Sequence, residues 1–340
     1  MLKITTKNIQ SKWTEFTLTN DHDMSVSILN FGGIITNMMV PDQHGNTENI
    51  VLGYNNYADY EKNANYIGAQ VGRVAGRIKD GRFYLNGSRY ELAKNEGRHH
   101  LHGGPNGLHQ VIWEADTYQS EHEVSLVLTH TSKHFDNGYP GNLELAITYS
   151  LNNTNELTLD YRGKSDQDTP VALTNHTYFN LSGNMKNTVH DHQVQFDSHY
   201  VAELDEELMP TGHLIEPIDT PFDFRNGRLL GKGLKPETAQ QKIAGNGYDH
   251  YFMFGNERAV TVSESNTERT MKIHTSEPGM VLYTANGLDE GLKLNEGLSQ
   301  KYAGVCFEAQ AHPAALHHEG FPNVIVEAGE TYRSYITYSF

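Results

Sequence analysis

The chain has 340 residues, of which 37% are hydrophobic, and it carries a formal net charge of −16 at pH 7. This acidic excess argues against a nucleic-acid-binding surface and against docking to an anionic membrane, because both depend on clustered Lys and Arg. No segment approaches the ~20 apolar residues of a membrane span, the N-terminus lacks a secretory pattern, and the single cysteine, Cys306, excludes an intrachain disulfide. We expect a cytoplasmic protein without nucleic-acid or membrane partners, either a monomer or a homodimer.

Alternation of apolar and polar residues predicts strands with one buried face along most of the chain. In chain order, the predicted strands lie at 35–40, 50–52, 83–85, 90–92, 123–129, 143–151, 157–161, 324–326 and 332–338. Turn-forming residues at 41–46 and 152–155 separate neighbouring strands, and the dipeptide Asn86-Gly87 predicts a tight hairpin. Such spacing is typical of antiparallel meanders.

Helical patterns are scarce and occur only at 57–63 and 235–243, each as a short helix. The chain therefore lacks the strand–helix–strand rhythm of a parallel α/β sheet. No linker-like tract and no internal repeat divides it. The sequence predicts an all-β protein with few short helices, formed by one domain over residues 1–340 and folded as a large antiparallel β-sandwich.

Two arginines, Arg73 and Arg77, lie among glycines and small apolar residues in the segment 71–81. The segment is not a phosphate loop, since it lacks the terminal Gly-Lys-Ser/Thr and the helix that follows such a loop. A guanidinium in these surroundings can donate several fixed hydrogen bonds, either to a polyhydroxyl ligand or to backbone carbonyls. Both interpretations stay open for Arg73 taken alone.

Three histidines, His99, His100 and His102, fall within four residues. On an extended strand His100 and His102 point to the same side and form a workable pair of metal ligands. The residues that follow, 103–107, contain no carboxylate that would complete the site, which disfavours a metal. His102 is more typical of a hydrogen-bonding histidine at a strand end, before glycines that let the backbone approach a ligand closely.

The segment 174–181 places a histidine among apolar and aromatic neighbours. On an extended strand His176, Tyr178 and Asn180 share one face, which offers an imidazole, a phenol and an amide in a row. Burial of such a face requires a polar group against it. The alternative for His176 is a core histidine that is satisfied by a backbone carbonyl.

A carboxylate occupies a comparable position in the segment 304–310. Glu308 lies between apolar residues, where loss of hydration raises its pKa and makes it a better base near neutral pH. A structural ion pair with Arg or Lys is the alternative. If this strand meets the one that carries His176, the two groups can face one small substrate from opposite sides.

Asp249, at the junction of a glycine-rich loop and an aromatic strand, either binds vicinal hydroxyls or caps a turn.

Taken together and in order, these segments resemble the aldose 1-epimerase family. The motifs that carry the resemblance run from about residue 30 to the C-terminus, at 30–35, 75–78, 95–97, 101–104, 137–141, 175–181, 248–250 and 307–310. A single tetrapeptide is a weak signal, whereas the ordered set is specific. One departure is Gly76, where many members carry Asn before the arginine. A hydroxyl contact is lost there, which leaves the fine sugar preference open.

The resemblance implies a galactose mutarotase-like supersandwich with an open cleft on one sheet. It implies interconversion of the α and β anomers of a free aldohexose, such as galactose or glucose, with a monosaccharide as the substrate and with no cofactor or metal. By position in the motifs, Glu308 is the catalytic base and His176 the catalytic acid. The sugar-binding positions that the resemblance implies are Arg77, His102, Asp249 and Tyr178.

Three alternatives stay open beside this interpretation. A non-catalytic carbohydrate-binding β-sandwich would bind sugar in the same cleft without accelerating anomer exchange. A metal-dependent isomerase would use the histidines at 99–102. A hexose-6-phosphate 1-epimerase would need additional cationic residues in the cleft, which the net charge of −16 disfavours.

Overall fold

The computed structural model describes all residues 1–340, and its largest element is a nine-stranded sheet. In spatial order this sheet contains the strands Glu114–Gln119, Glu123–Ser132, Leu143–Asn152, Glu156–Ser165, Thr331–Ser339, Thr270–Thr275, Ala259–Glu264, His192–Phe196 and Arg228–Leu229. The predicted alternation is confirmed, because Leu145, Ile147 and Tyr149 are buried while their neighbours are partly exposed. The long apolar rows thus turn one face of the sheet toward the core.

A six-stranded sheet packs against that face. In spatial order it contains the strands Tyr178–Phe179, Val305–Ala309, Gly279–Tyr283, Asp249–Phe254, Ser198–Leu204 and Pro210–Ile215. Side chains alternate across it. Val305 and Phe307 enter the main core, whereas Cys306 and Glu308 lie on the opposite face. The strand Val305–Ala309, which is buried throughout, therefore has one face in the core and one face beneath a cavity.

The third sheet is an N-terminal meander of five strands, Lys3–Ile9, Trp13–Thr19, Ser25–Leu29, Ile34–Pro41 and Thr47–Asn49. The predicted strand at 50–52 does not continue it. Asn49 ends the ladder, because its Oδ1 accepts hydrogen bonds from the backbone N–H groups of Met38 and Val51. Val51 instead forms a single bridge to Phe179, which ties the meander to the six-stranded sheet.

One hydrophobic core of 50 buried residues draws side chains from all three sheets. Burial of a large aliphatic or aromatic side chain stabilises the fold by about 1.5–3 kcal/mol, so this core determines how the sheets face each other. Every ladder between strands is antiparallel. The predicted antiparallel β-sandwich is confirmed.

Five two-stranded ladders complete the sheet structure, and one of them contains the predicted hairpin. They pair Gln70–Val71 with Thr174–Asn175, Arg77–Ile78 with His100–Leu101, Arg82–Leu85 with Ser88–Glu91, Thr169–Pro170 with Ile325–Val326, and Lys293–Leu294 with Gly297–Leu298. Asn86 and Gly87 connect Arg82–Leu85 to Ser88–Glu91, with φ of +52° and +76°. Positive φ at both positions is what a two-residue hairpin loop of type I′ requires.

Helices are few and short. The α-helices are Leu230–Gly233 and Ala239–Ile243, and the 3₁₀-helices are Tyr57–Glu61, Lys79–Gly81, Leu108–Gln110, Asp136–Gly138, Val189–Asp191 and Pro313–Leu316. The helix predicted at 235–243 begins later than expected, because Thr238 caps it in a capping box with Gln241. None of these helices has the length and hydropathy needed to cross a bilayer.

Candidate active site

The structure brings His176 and Glu308 together. The Nε2 atom of His176 lies 3.6 Å from Oε1 of Glu308, and the two residues are only 4% and 3% exposed. The contact follows from the antiparallel pairing of Tyr178–Phe179 with Val305–Ala309. The two distant segments meet, as predicted, but a separation of 3.6 Å leaves no room for a sugar between the two groups, so they face a ligand from the same side rather than from opposite sides.

The main chain of His176 is held from both sides. Its N–H donates to the carbonyl of Ala69 at 2.9 Å, and its carbonyl accepts from the N–H of Gly68 at 3.1 Å. The adjoining Gln70 is anchored to the nine-stranded sheet, since its side-chain amide contacts the hydroxyls of Tyr149 and Tyr161. His176 lies in the short connection between the strands Thr174–Asn175 and Tyr178–Phe179, and these main-chain hydrogen bonds fix that connection against the segment that contains Gly68 and Ala69.

Cys306 lies behind His176 and does not line the cavity. Its Sγ is 3.6 Å from Nδ1 of His176, and the thiol is fully buried. Burial raises the pKa of the Cys306 thiol well above its ordinary value, and the charge of Glu308 acts in the same direction. The sulfur therefore stays protonated and its contact with Nδ1 orients the ring; we assign the hydrogen of the neutral imidazole to Nδ1, which leaves Nε2 as the acceptor that faces Glu308.

Burial shifts the pKa values of the two paired groups in opposite directions. Desolvation raises the pKa of Glu308 to about 8, with a contribution from the charge of Asp249 and with Arg77 opposing. Desolvation lowers the pKa of His176 to about 4. At neutral pH the pair thus holds one proton, and in the unliganded protein that proton is on the carboxyl. The raised carboxyl pKa predicted from the sequence is confirmed, whereas an ion pair of Glu308 with Arg or Lys is not formed.

His102 presents a neutral imidazole N–H to the cavity. Its Nδ1 accepts a hydrogen bond from the backbone N–H of Gly76 at 3.1 Å, so we assign the ring proton to Nε2. Burial, together with the charges of His176 and Arg77, lowers the pKa of His102 well below its ordinary value. The ring also packs edge-on against Tyr66, with centroids 4.7 Å apart. These contacts fix a single donor direction.

The metal-binding pair considered for His100 and His102 does not form. The chain leaves the extended conformation at His102, where φ is +52°, and the two side chains part. His100 turns inward, with Nε2 2.7 Å from the hydroxyl of Tyr139 and Nδ1 2.5 Å from the carbonyl of Ala93. His99 accepts a hydrogen bond from the backbone of Asp80. The three neighbouring histidines thus enter three different environments.

A different set, His102, His176 and Glu308, offers ligand atoms within 4.8 Å of one another. A metal-bound imidazole donates its second ring N–H to a carboxylate, carbonyl or water. Here Nδ1 of His102 faces the N–H of Gly76, and Nδ1 of His176 faces the thiol of Cys306. Nδ1 of His102 is itself an acceptor and Nδ1 of His176 meets only a thiol sulfur, so neither has the carboxylate, carbonyl or water that supports a metal ligand, and the set does not fit a resident metal.

Arg77 is fixed between two carboxylates. Its guanidinium binds both oxygens of Glu96, at 2.6 and 2.9 Å, and its Nη1 lies 3.7 Å from Oδ2 of Asp249. Burial opposes the charge of Arg77, but Asp249 and Glu96 raise its pKa above the ordinary value. Burial also raises the pKa of Asp249, against the influence of Arg77. Arg77 therefore stays charged and keeps Nη1 as a donor on the cavity side.

These groups surround one cavity of about 400 Å³ on the open face of the six-stranded sheet. The volume lies within the range of roughly 300–1,000 Å³ typical of small-molecule sites. Tyr178 contributes its ring rather than its hydroxyl to the wall, because the hydroxyl donates a hydrogen bond to the carbonyl of Asn65. All six site residues predicted from the sequence line the cavity, namely Arg77, His102, His176, Tyr178, Asp249 and Glu308.

Two polar residues discussed from the sequence, Arg73 and Asn180, bind main-chain carbonyls instead of lining the cavity. Arg73 is 2% exposed and donates to the carbonyls of Ser132, Lys133, Pro140 and Gly141, so the carbonyl-capping interpretation is correct. Asn180 donates to the carbonyls of Asn187 and Ala303 and lies outside the cavity. The polar face predicted for His176, Tyr178 and Asn180 therefore reaches the cavity only through its first two members.

Sequence reasoning missed four residues that complete the walls: Tyr66, Glu96, Tyr283 and His312. Glu96 belongs to a segment that was recognised, but nothing in its spacing indicated a pairing with Arg77. Tyr283 lies opposite Cys306 on a neighbouring strand, a pairing that only the sheet order reveals. His312 follows the strand of Glu308 by three residues, and this short distance was the one available signal.

Comparison with known proteins places this geometry in a family. The family model for aldose 1-epimerase matches residues 14–339. The chain is 36% identical over 323 residues to galactose mutarotase of Bos taurus, covering 94% of this chain and 91% of that protein. It is 31% identical over 336 residues to maltose epimerase of Levilactobacillus brevis, covering 97% and 96%. The crystal structure of galactose 1-epimerase from Lactobacillus acidophilus has a TM-score of 0.88 and 30% identity, covering 100% of this chain and 98% of that one.

A β-sandwich whose open face pairs a buried carboxyl with a buried imidazole has the groups that acid–base chemistry on a small molecule requires. The chain belongs to the aldose 1-epimerase family. It is an enzyme that interconverts the α and β anomers of an aldose, and the resemblance noted in its motifs is confirmed.

Proposed function

We propose that the enzyme acts on free aldohexoses, among them galactose and glucose, and that Glu308 and His176 carry the proton transfers. The observation that carries the proposal is the 3.6 Å contact between these two buried groups. The names of the relatives, galactose mutarotase and maltose epimerase, favour sugars with a free reducing end. The cavity volume of about 400 Å³ suits a ligand of this size.

Ring opening of a pyranose requires three events: loss of the proton from the anomeric hydroxyl O1, cleavage of the C1–O5 bond, and delivery of a proton to O5. In the proposed assignment Glu308 accepts the proton from O1 and His176 donates one to O5. The open-chain aldehyde then rotates about C1–C2. Closure onto the other carbonyl face inverts C1, and the two protons return to their original groups. Each positioned acid or base typically contributes about 10²–10⁴ in rate.

This assignment starts from a proton on His176, whereas the unliganded pair holds it on Glu308. Transfer between the two groups over 3.6 Å gives the required state. The charge of Arg77, which lowers the pKa of Glu308, favours the ionised carboxylate. The pair can equally start with Glu308 as the proton donor and with His176 as the acceptor, because the reaction needs only one proton shared between the two groups.

The remaining residues would bind the sugar and stabilise charge. His102 and Arg77 would donate to sugar oxygens and favour the negative charge that develops on O1. Asp249 would accept hydrogen bonds from hydroxyls. The ring of Tyr178 would form an apolar wall, since its hydroxyl is engaged with the protein.

A phosphorylated hexose is the less favourable substrate. The cavity wall contains one cation, Arg77, and three carboxyl groups, Glu96, Asp249 and Glu308. Arg77 is already engaged with two of these carboxyls. A phosphate dianion would therefore add negative charge to an acidic site without an uncommitted cation to receive it.

Polarimetry of freshly dissolved α-galactose and α-glucose tests the proposal. We expect the enzyme to accelerate the approach to equilibrium rotation for both sugars and to act far more slowly on glucose 6-phosphate. Glu308→Gln keeps the shape of the side chain but cannot exchange a proton, so kcat is expected to fall by about 10²–10⁴. The matched control is Glu277→Gln, at a buried carboxyl outside the cavity, with activity unchanged. Retention of most activity by Glu308→Gln, or a preference for glucose 6-phosphate, would contradict the proposal.

A further inference from the structure

His312 is a buried histidine on the cavity wall that the mechanism leaves without a role. It is 6% exposed and lies beside Gly76. Its Nδ1 accepts a hydrogen bond from the backbone N–H of Ala314 at 3.1 Å, which caps the 3₁₀-helix Pro313–Leu316. Its Nε2 forms no hydrogen bond with the protein. One ring nitrogen is thus committed to the fold and the other is free.

The hydrogen bond at Nδ1 determines which nitrogen carries the ring proton. A backbone N–H pointing at Nδ1 makes that atom an acceptor, so the neutral ring has its hydrogen on Nε2. Burial lowers the pKa of His312 to about 3, and Arg77 acts in the same direction. His312 therefore presents a fixed N–H donor, just as His102 does through its bond from Gly76.

The free nitrogen is open because residue 76 is glycine. A Cβ on Gly76 would lie 3.4 Å from Nε2 of His312 and 3.3 Å from the ring of Pro313. A side chain there would cover the donor, and the φ of +84° would strain it as well. Gly76 thus separates two imidazole donors: its N–H orients His102, and its missing side chain exposes His312.

We propose that His312 is a further substrate-binding residue, which donates through Nε2 to one non-reacting hydroxyl of the sugar and thereby sets preference among aldoses. This inference rests on the proposed function of the cavity. The Nε2 N–H of His312 is open to the cavity rather than sealed in the interior, so a polyhydroxyl ligand can supply the acceptor that the protein does not. Glu308 and His176 serve the reacting oxygens O1 and O5, so the hydroxyl bound by His312 is one of the others.

The variant His312→Asn separates the donor from the helix cap. Asn is a preferred N-cap residue whose oxygen can still accept from Ala314, but it is too short to place a donor where Nε2 stands. We expect kcat/KM for galactose and glucose to fall about threefold to tenfold, which is the size of one neutral hydrogen bond. The loss should lie mainly in KM, because the contact is made in both the ground and transition states.

A panel of deoxy sugars then identifies the hydroxyl. Anomer exchange of the 2-, 3-, 4- and 6-deoxy forms is followed by NMR exchange spectroscopy with wild type and with His312→Asn. One deoxy sugar, the one that lacks the hydroxyl bound by His312, should be converted equally by both proteins, while the others lose as much as the parent sugar. Equal kcat/KM for every sugar, or a uniform loss that includes every deoxy form, would overturn the proposal.

The matched control is His192→Asn. His192 is also a buried imidazole that accepts a backbone N–H, from Leu181 at 2.7 Å, but it lies outside the cavity. We expect this variant to lower thermal stability and to leave the kcat/KM pattern unchanged. If wild type failed to accelerate anomer exchange, the proposed function would fail by itself. Calorimetric binding of galactose would then test the donor, and equal affinity of wild type and His312→Asn would refute it.

Discussion

At the scale of single residues, the site depends on burial, which removes charge from both catalytic candidates. Desolvation favours the neutral carboxyl of Glu308 and the neutral imidazole of His176. The pair still keeps one proton at neutral pH, because the pKa of the carboxyl lies above that of the imidazole. One group is therefore always an acceptor and the other a donor, whichever holds the proton. The chemistry depends on the proton count of the pair rather than on a microscopic assignment.

This proton count predicts the pH dependence of activity. As the pH rises through about 8, Glu308 loses the shared proton, both groups become acceptors and no donor remains. We expect kcat/KM to be constant between pH 6 and 7 and to fall with a midpoint near the pKa of Glu308, after subtraction of the buffer-catalysed rate. Asp249→Asn should move this midpoint to lower pH, because Asp249 raises the pKa of Glu308. Constant kcat/KM up to pH 9.5 would contradict the shared-proton mechanism.

The sequence predicted the two residues that we propose as reactive, but not the residues that support them. Glu308 and His176 could be predicted because a titratable group between apolar neighbours needs a polar partner and because their motifs resemble those of the aldose 1-epimerase family. Glu96 and His312 could not, since their roles arise from contacts with Arg77 and with the space left by Gly76. Such contacts depend on distances between separate loops, which sequence spacing does not encode.

At the scale of elements, the position of His102 depends on the turn that ends its strand. The dipeptide Gly103-Gly104 was expected to allow close approach of a ligand, but the structure gives another reason. A Cβ on Gly103 would lie only 1.7 Å from the carbonyl oxygen of Gly72, and φ of Gly103 is +84°. The glycine is required by packing of main chain against main chain, which in turn sets the direction of the preceding imidazole.

Gly103→Ala therefore tests the turn, with Gly45→Ala as its matched control. Gly45 has nearly the same φ, +80°, but nothing lies within 4 Å of its Cβ position. We expect Gly45→Ala to lower the free energy of unfolding by about 1–2 kcal/mol from backbone strain alone. Gly103→Ala should cost on the order of 4 kcal/mol or more and reduce activity, because the main chain must move and displace His102. Equal unfolding free energies in urea would show that the close contact is unimportant.

The same scale explains which elements could be predicted. Long strands such as Leu143–Asn152 repeat an apolar residue at every second position, so local pattern and final structure agree. The two-residue strands that flank His176, Thr174–Asn175 and Tyr178–Phe179, carry too little pattern of their own. They form because strands far away in the chain pair with them, and that information is tertiary.

At the scale of the whole molecule, burial of neutral histidines extends far beyond the cavity. Seven buried histidines have a pKa lowered mainly by desolvation: His100, His102, His109, His176, His192, His250 and His312. In the unfolded chain each has an ordinary pKa near about 6.5. Below that pH the unfolded chain therefore binds more protons than the folded protein.

Stability should consequently fall with acidification, since a group whose folded pKa is depressed stabilises the fold above its unfolded pKa and loses that contribution as the pH falls. Each of the seven histidines is worth ~1–2 kcal/mol between pH 7 and 5, against a typical total of about 5–15 kcal/mol. Glu308 acts oppositely, because its raised pKa gives stability that is lost as pH rises through about 8, but it is one group against seven. Urea unfolding at pH 7, 6 and 5.5 should show a steep loss of unfolding free energy. In His192→Gln the slope of this free energy against pH should be smaller, by the equivalent of about one bound proton. An unfolding free energy that stays constant over this range would mean that these imidazoles are hydrated in the folded protein.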